Sequence, residues 1–581
     1  MANGRLSLFR ALAVLSACAA PSAGALLKRT NVANELAKLN ATLGGRLYFN
    51  APWELPCFSE YNGEPVTPNA TACAAIQANY TDPMYRVDFV GQSMMPQWET
   101  CQVKSPYSGC LLNSNDPYDT TAYEGVNCQI GNIPEYYIDV QSYTDVQAAM
   151  NFSLKTGVNL TVKNKGHDYK GRSTGMGTVA LWVSHLNSIS YNPEFVPTGC
   201  SASSTYDAIT IGPGAITEDI YEFADSINRT FIGGYHQTIG AGGGYVLGGG
   251  HSILSPVFGL AADRALEFKI VTPDGVYRTA SQCENSDLFW ALRGGGGSTW
   301  GVVIESTHEL APQVTLQVAS ISFAGNTNLI NLAEWYSLLV NETYKWGKEG
   351  WGGHITVGTI IYVNPLMNNS AANASMQAAA EFAISQGGTA IVEELPSYLT
   401  FFNKYVTYAE AAVGPEITLG TRLLTTSLFE TEEGRALLSG VITEVLPFAA
   451  PYVVQGTPFL YNYTRGATSF TPAWYDSLWH LSVHATWEWN STVEEIAASY
   501  LNVSSHVQLF RDITPTSGAY FNEGDVYEPN HTYSYWGDNY AELLEVKKKY
   551  DPNGVMQCWQ CVGWEGPSDP LYQCYLPLPQ S

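Results

Sequence analysis

The sequence has 581 residues, of which 45% are apolar and 14% charged, so it encodes a globular protein with room for two lobes, not a disordered or fibrous chain. Its formal net charge is −25, from 28 basic and 53 acidic side chains. That balance argues against partners such as nucleic acid and anionic membranes, because phosphate contacts need clustered Lys and Arg.

The N-terminus has the pattern of an export signal. Arg5 and Arg10 precede the apolar run ALAVLSACAA, and small residues follow near Ala23 and Ala25. The run is too short to span a bilayer. An ordinary buried helix would show the same apolar pattern and is the alternative to a signal peptide. We predict a signal peptide over residues 1–25 and an extracellular protein.

Glycosylation signals and cysteines agree with export. Roughly a dozen Asn-x-Ser/Thr sites occur, including Asn69 and Asn341. Of the 11 cysteines, Cys18 lies in the signal, which leaves an even number available for disulfides. Cys558 and Cys561 form a CxxC without a second pair at zinc spacing, so we expect a structural disulfide there and no metal site.

Four segments follow one another along the mature chain. A Cys-rich N-terminal extension covers residues 26–125, and strand and helix patterns alternate over 126–315. There, EYYIDV predicts a strand, TDVQAAMNFSLKTG a helix with Thr144 as N-cap and Gly157 beyond its end, and NLTVKN a second strand. Residues 316–515 mix strand-like and helical runs, and 516–581 contain a helix that ends at Asp551-Pro552.

Three glycine runs in the second segment indicate a shared ligand. They lie at 242–244, 248–250 and 294–297. Glycine lets the backbone approach a bound group closely, and in proteins that group is most often a phosphate. A single glycine run could equally be a flexible loop. A P-loop motif does not occur.

Two further motifs carry alternatives that their context disfavours. GMGTVA at 175–180 matches a dinucleotide fingerprint, and Gly171 to Gly175 matches the nucleophile elbow GxSxG centred on Ser173. Both should open a helix, yet TVALWVSHL continues as a strand. A serine hydrolase using Ser173 therefore remains an alternative, as does a flavin-free binding protein.

Five motifs in order resemble a known family. They are YYIDVQSYTDVQAAMNFSLKTGVNLTVKNKGHDYKGRSTG, ITIGPGAITEDIYEFAD, the glycine-rich stretch 233–275, NSDLFWALRGGGGSTWGVV and YWGDNYAELLEVKKKYDPNGV. The first four resemble the PCMH-type FAD-binding domain of the vanillyl-alcohol-oxidase superfamily, and the last resembles berberine-bridge-enzyme-like members. The ending MQCWQCVGW and the Cys-rich front resemble a secreted fungal branch that includes isoamyl alcohol oxidase-like proteins.

The resemblance implies an α+β fold: a two-subdomain FAD-binding domain at 126–315, a substrate-binding domain with an antiparallel sheet and flanking helices at 316–515, and a C-terminal segment returning to the FAD domain. It also implies FAD bonded covalently through His167, where a loop histidine bonded to backbone is the alternative. A cysteine that forms a second bond in other members is replaced by His236, so we expect one covalent bond. The implied cofactor contacts are His167, Gly166, Asp168, Ser173, Gly212, Gly214, His236, Gly240, Gly242, Gly243, Gly249 and Asn539.

The implied catalytic residues come from a Tyr-x-Asn pattern in GAYFNEGD. Tyr520 and Asn522 match it, and His480 is a further candidate, placed either on a helix or on one face of a strand. Tyr520 would need a lowered pKa to act as the base. The family glutamate base has no clear counterpart, so the reaction class stays open.

We expect an oxidase that takes a hydride from an alcohol or secondary metabolite and passes the electrons to O₂, giving H₂O₂. Oxidative cyclisation or dehydrogenation of a secondary metabolite is the alternative within the family.

Overall fold

The computed structural model describes residues 23–104, 108–407 and 409–578. The predicted signal peptide therefore lies almost entirely outside the described residues. Within them, the strands are β1 Leu47–Phe49, β2 Glu60–Tyr61, β3 Glu64–Pro65, β4 Asn127–Cys128, β5 Tyr136–Asp139, β6 Leu160–Lys163, β7 Val179–Trp182, β8 Ile189–Phe195, β9 Tyr206–Ile211, β10 Arg229–Thr230, β11 Ala265–Val271, β12 Tyr277–Ser281, β13 Val302–Glu309, β14 Ala311–Pro312, β15 Leu316–Ser322, β16 Gly352–Thr356, β17 Thr359–Asn364, β18 Thr389–Leu395, β19 Glu416–Thr425, β20 Tyr452–Gln455 and β21 Ser477–Trp487.

The helices alternate with these strands through most of the chain. They are α1 Ala23–Thr42, α2 Ala70–Ala78, α3 Pro83–Arg86, α4 Tyr143–Thr156, α5 Thr217–Ser226, α6 Ser255–Phe258, α7 Ser286–Leu292, α8 Leu329–Glu349, α9 Asn369–Ser385, α10 Tyr398–Phe401, α11 Ser427–Glu430, α12 Glu432–Val445, α13 Val493–Ile513, α14 His531–Trp536 and α15 Tyr540–Tyr550. The described helices include none long and apolar enough to cross a membrane.

Two sheets build the half of the molecule that carries the glycine runs. A four-stranded sheet has the order β1-β5-β7-β6, in which β5, β7 and β6 are parallel and β1 is antiparallel to β5. A five-stranded antiparallel sheet has the order β12-β11-β13-β9-β8. The predicted strands β5 and β6 and the helix between them are confirmed, and so is the mixed α+β class.

The start of α4 corrects one expectation. Its N-cap is Ser142, not Thr144, and it ends at Gly157 in the left-handed conformation. The reason is the Asp145 carboxylate, which accepts hydrogen bonds from the backbone N–H groups of Gln141 and Ser142 at 2.9 and 3.2 Å. These bonds cap the helix at Ser142, so α4 begins two residues earlier than the sequence pattern indicated.

A seven-stranded antiparallel sheet forms the other half, in the order β18-β15-β17-β16-β20-β21-β19. The run HITVGTIIYV is a hairpin rather than one strand, because Gly358 takes a positive φ of 74° between β16 and β17. One face of this sheet packs against α8, α9, α12 and α13 in the largest apolar cluster, which includes Leu424, Leu481 and Val483. The opposite face packs towards the half that carries the glycine runs.

The N-terminal extension is integrated into the fold. Its strand β1 joins the four-stranded sheet, and Cys101 is bonded to Cys574 near the C-terminus. The predicted Cys558–Cys561 disulfide is present. The remaining pairs, which the sequence left open, are Cys57–Cys73, Cys110–Cys128 and Cys200–Cys283.

Candidate cofactor and active site

His167 lies in the loop that follows β6, beside the turn that precedes the glycine run at 242–244. Its Nε2 atom is 2.8 Å from Thr238 Oγ1, and its ring meets the His236 ring edge-on with centroids 4.6 Å apart. Burial, and then the neighbouring His236 and Lys163, hold the pKa of His167 well below its usual range. The ring is partly accessible and neutral, which is the form that can act as a nucleophile.

The loop around His167 is fixed by Asp168 and Gly166. The Asp168 carboxylate accepts from the Arg172 backbone N–H and guanidinium, both at 2.6 Å. Burial would raise the pKa of Asp168, but the Arg172 charge and hydrogen bonds bring it below the ordinary value. Gly166 has a φ of +90°, and a side chain there would lie 2.8 Å from the Gln92 amide nitrogen. Asp168 and Gly166 therefore position His167 through the loop backbone.

Gly212 and Gly214 do not have the role expected for them. Their backbone N–H groups donate to the Ser188 and Leu186 carbonyls, each at 2.9 Å, so neither N–H is free for a phosphate oxygen. Glycine is required there because a Cβ atom would lie 2.0 Å from the Leu186 carbonyl oxygen and 2.1 Å from that of Ser184. These two glycines let the segment at 212–214 pack closely against the backbone of residues 184–188.

The glycines at and just before the run at 242–244 pack directly on the segment at 212–214. A Cβ atom at Gly240 would lie 2.7 Å from the Pro213 carbonyl oxygen, and one at Gly242 would lie 2.8 Å from that of Gly212. Gly243 packs on the Pro213 ring. Gly249 has a φ of +121°, which turns the chain towards His251.

Two orphaned polar atoms line the space next to His167. The Asn164 Oδ1 and His236 Nε2 atoms are buried and have no hydrogen-bond partner among the described residues. Burial lowers the pKa of His236 to about 4, so this ring is neutral at physiological pH. Unpaired buried polar atoms are costly, which indicates that a bound group completes them. A flavin ring, rich in carbonyl and N–H groups, fits this donor and acceptor set.

The register of the seven-stranded sheet directs His480 towards the same cavity. His354 pairs with Val454, Val454 with His480, and His480 with Leu423 across four adjacent strands. Residues directly opposite in a sheet point to the same face, and Leu423 packs in the core of the flavin-binding half. His480 is thus on a strand, not a helix, and faces the cofactor side.

His480, Tyr520, His251 and Glu523 form one cluster beside the Trp474 ring, in which His480 and Tyr520 are buried and His251 and Glu523 are partly exposed. The His251 Nε2 atom is 3.1 Å from Glu523 Oε1, and the His480 Nδ1 atom is 3.7 Å from Glu523 Oε2. The Tyr520 ring lies edge-on to both histidines, with centroids 5.1 Å from His251 and 5.8 Å from His480. The cluster brings together side chains from both halves.

The expectation that Tyr520 acts as the base is not supported by its surroundings. Burial, followed by the Glu523 charge, raises the pKa of Tyr520 above its ordinary value rather than lowering it. Tyr520 therefore keeps its proton near neutral pH. Burial lowers the pKa of His480 to about 4, so that imidazole is neutral at physiological pH and a weaker base than an exposed histidine.

Asn522 and Asn539 hold loops. The Asn522 amide donates to the Tyr520 hydroxyl at 2.9 Å and lies 3.5 Å from the Gly244 carbonyl oxygen, so it joins the cluster around Tyr520 to the glycine run. The Asn539 amide donates to the Ser469 and Phe470 carbonyls at 3.3 and 3.0 Å, and its contact with the cofactor stays a prediction.

Sequence reasoning missed Thr238, His251 and Trp474. His251 directly follows the glycines at 248–250, and that adjacency is the signal that could have singled it out. Thr238 and Trp474 carry no motif, because only the folded chain brings them beside His167 and Tyr520.

Ser173 lies in the loop between β6 and β7, without the strand-to-helix turn of a nucleophile elbow. Among the described residues, no histidine or carboxylate is hydrogen-bonded to its hydroxyl. We expect Ser173→Ala to retain the wild-type flavin absorbance and oxidase rate within about twofold, because the hydroxyl performs no chemistry. A fluorophosphonate probe should label neither protein. Labelling that the substitution abolishes would restore the hydrolase alternative.

Comparison with known proteins matches this geometry. The sequence profile of the FAD binding domain matches residues 134–281, and the berberine and berberine-like profile matches residues 519–562. The chain is 38% identical over 564 residues to the FAD-linked oxidoreductase ffsJ of Aspergillus flavipes, covering 91% of this chain and 92% of that protein. It is 30% identical over 547 residues to the VAO-type flavoprotein oxidase VAO615 of Thermothelomyces thermophilus, covering 91% and 90%.

Solved structures share the fold. The VAO-type flavoprotein MtVAO615 from Myceliophthora thermophila C1 superposes with a TM-score of 0.79 at 27% identity, covering 94% of this chain and 96% of that one. Glucooligosaccharide oxidase from Acremonium strictum, described with a 6-S-cysteinyl, 8α-N1-histidyl FAD, gives a TM-score of 0.60 at 20% identity, covering 74% and 92%.

Proposed function

The chain belongs to the vanillyl-alcohol-oxidase and berberine-bridge-enzyme-like family of FAD-dependent oxidoreductases, and from this premise we propose that it is a secreted oxidase of alcohols or secondary metabolites. In this proposal FAD is bonded to His167, and O₂ accepts the electrons and is released as H₂O₂. FAD supplies the hydride acceptor when bound.

The observation that carries the proposal is the pair of histidine rings beside the glycine run at 242–244, with centroids 4.6 Å apart. His167 is partly exposed, burial holds its pKa well below the usual range, and the Nε2 atom of the neighbouring His236 has no hydrogen-bond partner among the described residues. Glucooligosaccharide oxidase is described with histidyl and cysteinyl bonds to FAD. Because the resemblance sets His236 of GGYHQTIG at the position of that cysteine, we propose a single bond through His167.

The remaining side chains are proposed to handle the proton of the substrate hydroxyl. His480 accepts it at Nε2, because neither nitrogen of its ring has a hydrogen-bond partner among the described residues and Nδ1 is the atom that faces Glu523. Tyr520 donates a hydrogen bond that orients the substrate oxygen, and Asn522 fixes the Tyr520 hydroxyl. Trp474 closes the cluster with an apolar wall, its ring centroid 5.5 Å from those of His480 and Tyr520.

Secretion is supported by the covalent structure. Five disulfides are present among the described residues, and such bonds persist in oxidising compartments. The sequons and the N-terminal pattern point the same way.

Peroxide release tests the proposal. The purified protein is incubated with a panel of primary, secondary and benzylic alcohols, sugars and polyphenols, and H₂O₂ and O₂ uptake are followed together. We expect one H₂O₂ per carbonyl formed for at least one compound, and bleaching of the flavin by that compound without O₂. A product formed with no O₂ uptake would contradict the oxidase and favour ring closure without net redox, or dehydrogenation that passes its electrons to an acceptor other than O₂.

A further inference from the structure

We propose that His251, His480 and Glu523 form a binding site for a zinc-class divalent cation on the cofactor-facing side of the seven-stranded sheet. The three side chains come from distant parts of the sequence: the end of a glycine run, strand β21 and the loop after Tyr520. Two imidazoles and one carboxylate are a donor set that Zn²⁺ accepts, with a fourth position left open.

The spacing of the ligand atoms fits a single ion. One nitrogen, one nitrogen and one oxygen lie within 4.8 Å of one another. Tetrahedral bonds of about 2.0–2.1 Å place neighbouring ligand atoms about 3.3–3.4 Å apart. The His251 Nε2 atom lies 3.1 Å from Glu523 Oε1, and the His480 Nδ1 atom lies 3.7 Å from Glu523 Oε2, so both rings present a nitrogen to the same carboxylate at about that spacing.

His480 supplies the second, independent observation. Its residue is 1% exposed, and neither ring nitrogen has a hydrogen-bond partner among the described residues. The 3.7 Å separation from Glu523 is too long for a hydrogen bond. An ion between the two groups would satisfy both, whereas direct proton transfer between them would require the shorter contact.

Zinc titration of the purified holoprotein tests the site without any substrate. The protein is dialysed against a chelator near neutral pH and titrated with Zn²⁺ in a calorimeter, with metal content measured before and after. We expect one equivalent to bind with a dissociation constant of about 1 μM or tighter, and His480→Gln or Glu523→Gln to weaken it by at least about 100-fold. His484→Gln, four residues along the same strand, is the matched control and should bind as wild type.

Two outcomes would overturn the proposal. Binding that is unchanged in both variants would assign the ion to surface carboxylates, and the absence of saturable binding in wild type would leave the three side chains to proton transfer alone. Flavin absorbance and thermal unfolding report whether each variant folds, and Glu523→Asp replaces Glu523→Gln if the latter does not. Because the readout is metal content, it is separate from peroxide release, so failure of the oxidase proposal would be recognised independently.

Discussion

Replacement of His167 by alanine is expected to give a protein that releases all its flavin on acid precipitation, whereas the wild-type polypeptide stays yellow. His167 is the partly exposed imidazole proposed to carry the flavin, whereas its neighbours Thr238 and His236 contact that imidazole without being proposed to bond to the cofactor. In this family the bond raises the reduction potential of the flavin, so we also expect peroxide release to fall at least about tenfold, equivalent to about 1.4 kcal/mol. The measurement is the absorbance and fluorescence of the washed precipitate, followed by the peroxide rate.

His185→Ala is the matched control for this experiment. The His185 side chain is 54% exposed and contacts Asp139 at the end of β5, outside the cavity. Its flavin should remain attached and its rate unchanged. A flavin that survives precipitation in His167→Ala would contradict the assignment and point to another residue, with His236 the first to examine.

Arg511→Ala is expected to produce the largest loss of stability. Arg511, at the C-terminal end of α13, donates to Asp525 at 2.9 Å and to Glu528 at 2.6 Å, and all three side chains are buried. Removing the cation leaves two buried carboxylates uncompensated, which costs about 3–5 kcal/mol. The same segment carries Tyr520 and Glu523, so peroxide release should fall with it. Urea unfolding followed by tryptophan fluorescence measures the change.

The control for the buried network is a pair of the same residue types at the surface. Arg278 contacts Asp274 at 2.8 Å in the turn between β11 and β12, where both side chains are partly exposed. Arg278→Ala should cost less than about 1 kcal/mol, because solvent screens this pair. A cost for Arg511→Ala as small as that of the control would show that the buried network does not hold the C-terminal segment in place.

Local sequence patterns predicted the elements around the cofactor loop. β5, α4 and β6 are set by alternation, amphipathic spacing and a terminal glycine, all of which are encoded within a few residues. The α15 helix and its end at Asp551 were predicted on the same grounds. Ser142 and Thr144 are both suitable N-cap residues for α4, and the sequence pattern selected Thr144 although the helix is capped at Ser142.

The candidate site was only partly predictable, because its chemistry depends on contacts between distant segments. Gly212 and Gly214 were expected to contact the cofactor, yet their backbone N–H groups donate hydrogen bonds to the carbonyls of Ser188 and Leu186. Tyr520 was expected to need a lowered pKa, and only the buried Glu523 and the surrounding rings show that its pKa moves upward. The register that aligns His354, Val454 and His480 is likewise invisible in the sequence.

Mass mapping of the loop after β6 tests the central claim most directly. The wild-type protein is denatured, digested and analysed for the peptide that contains His167. We expect this peptide to carry the mass of one FAD, with fragment ions that place the FAD on the histidine. The peptide that contains His236 should be unmodified. An unmodified His167 peptide from protein that retains its yellow colour after denaturation would contradict it.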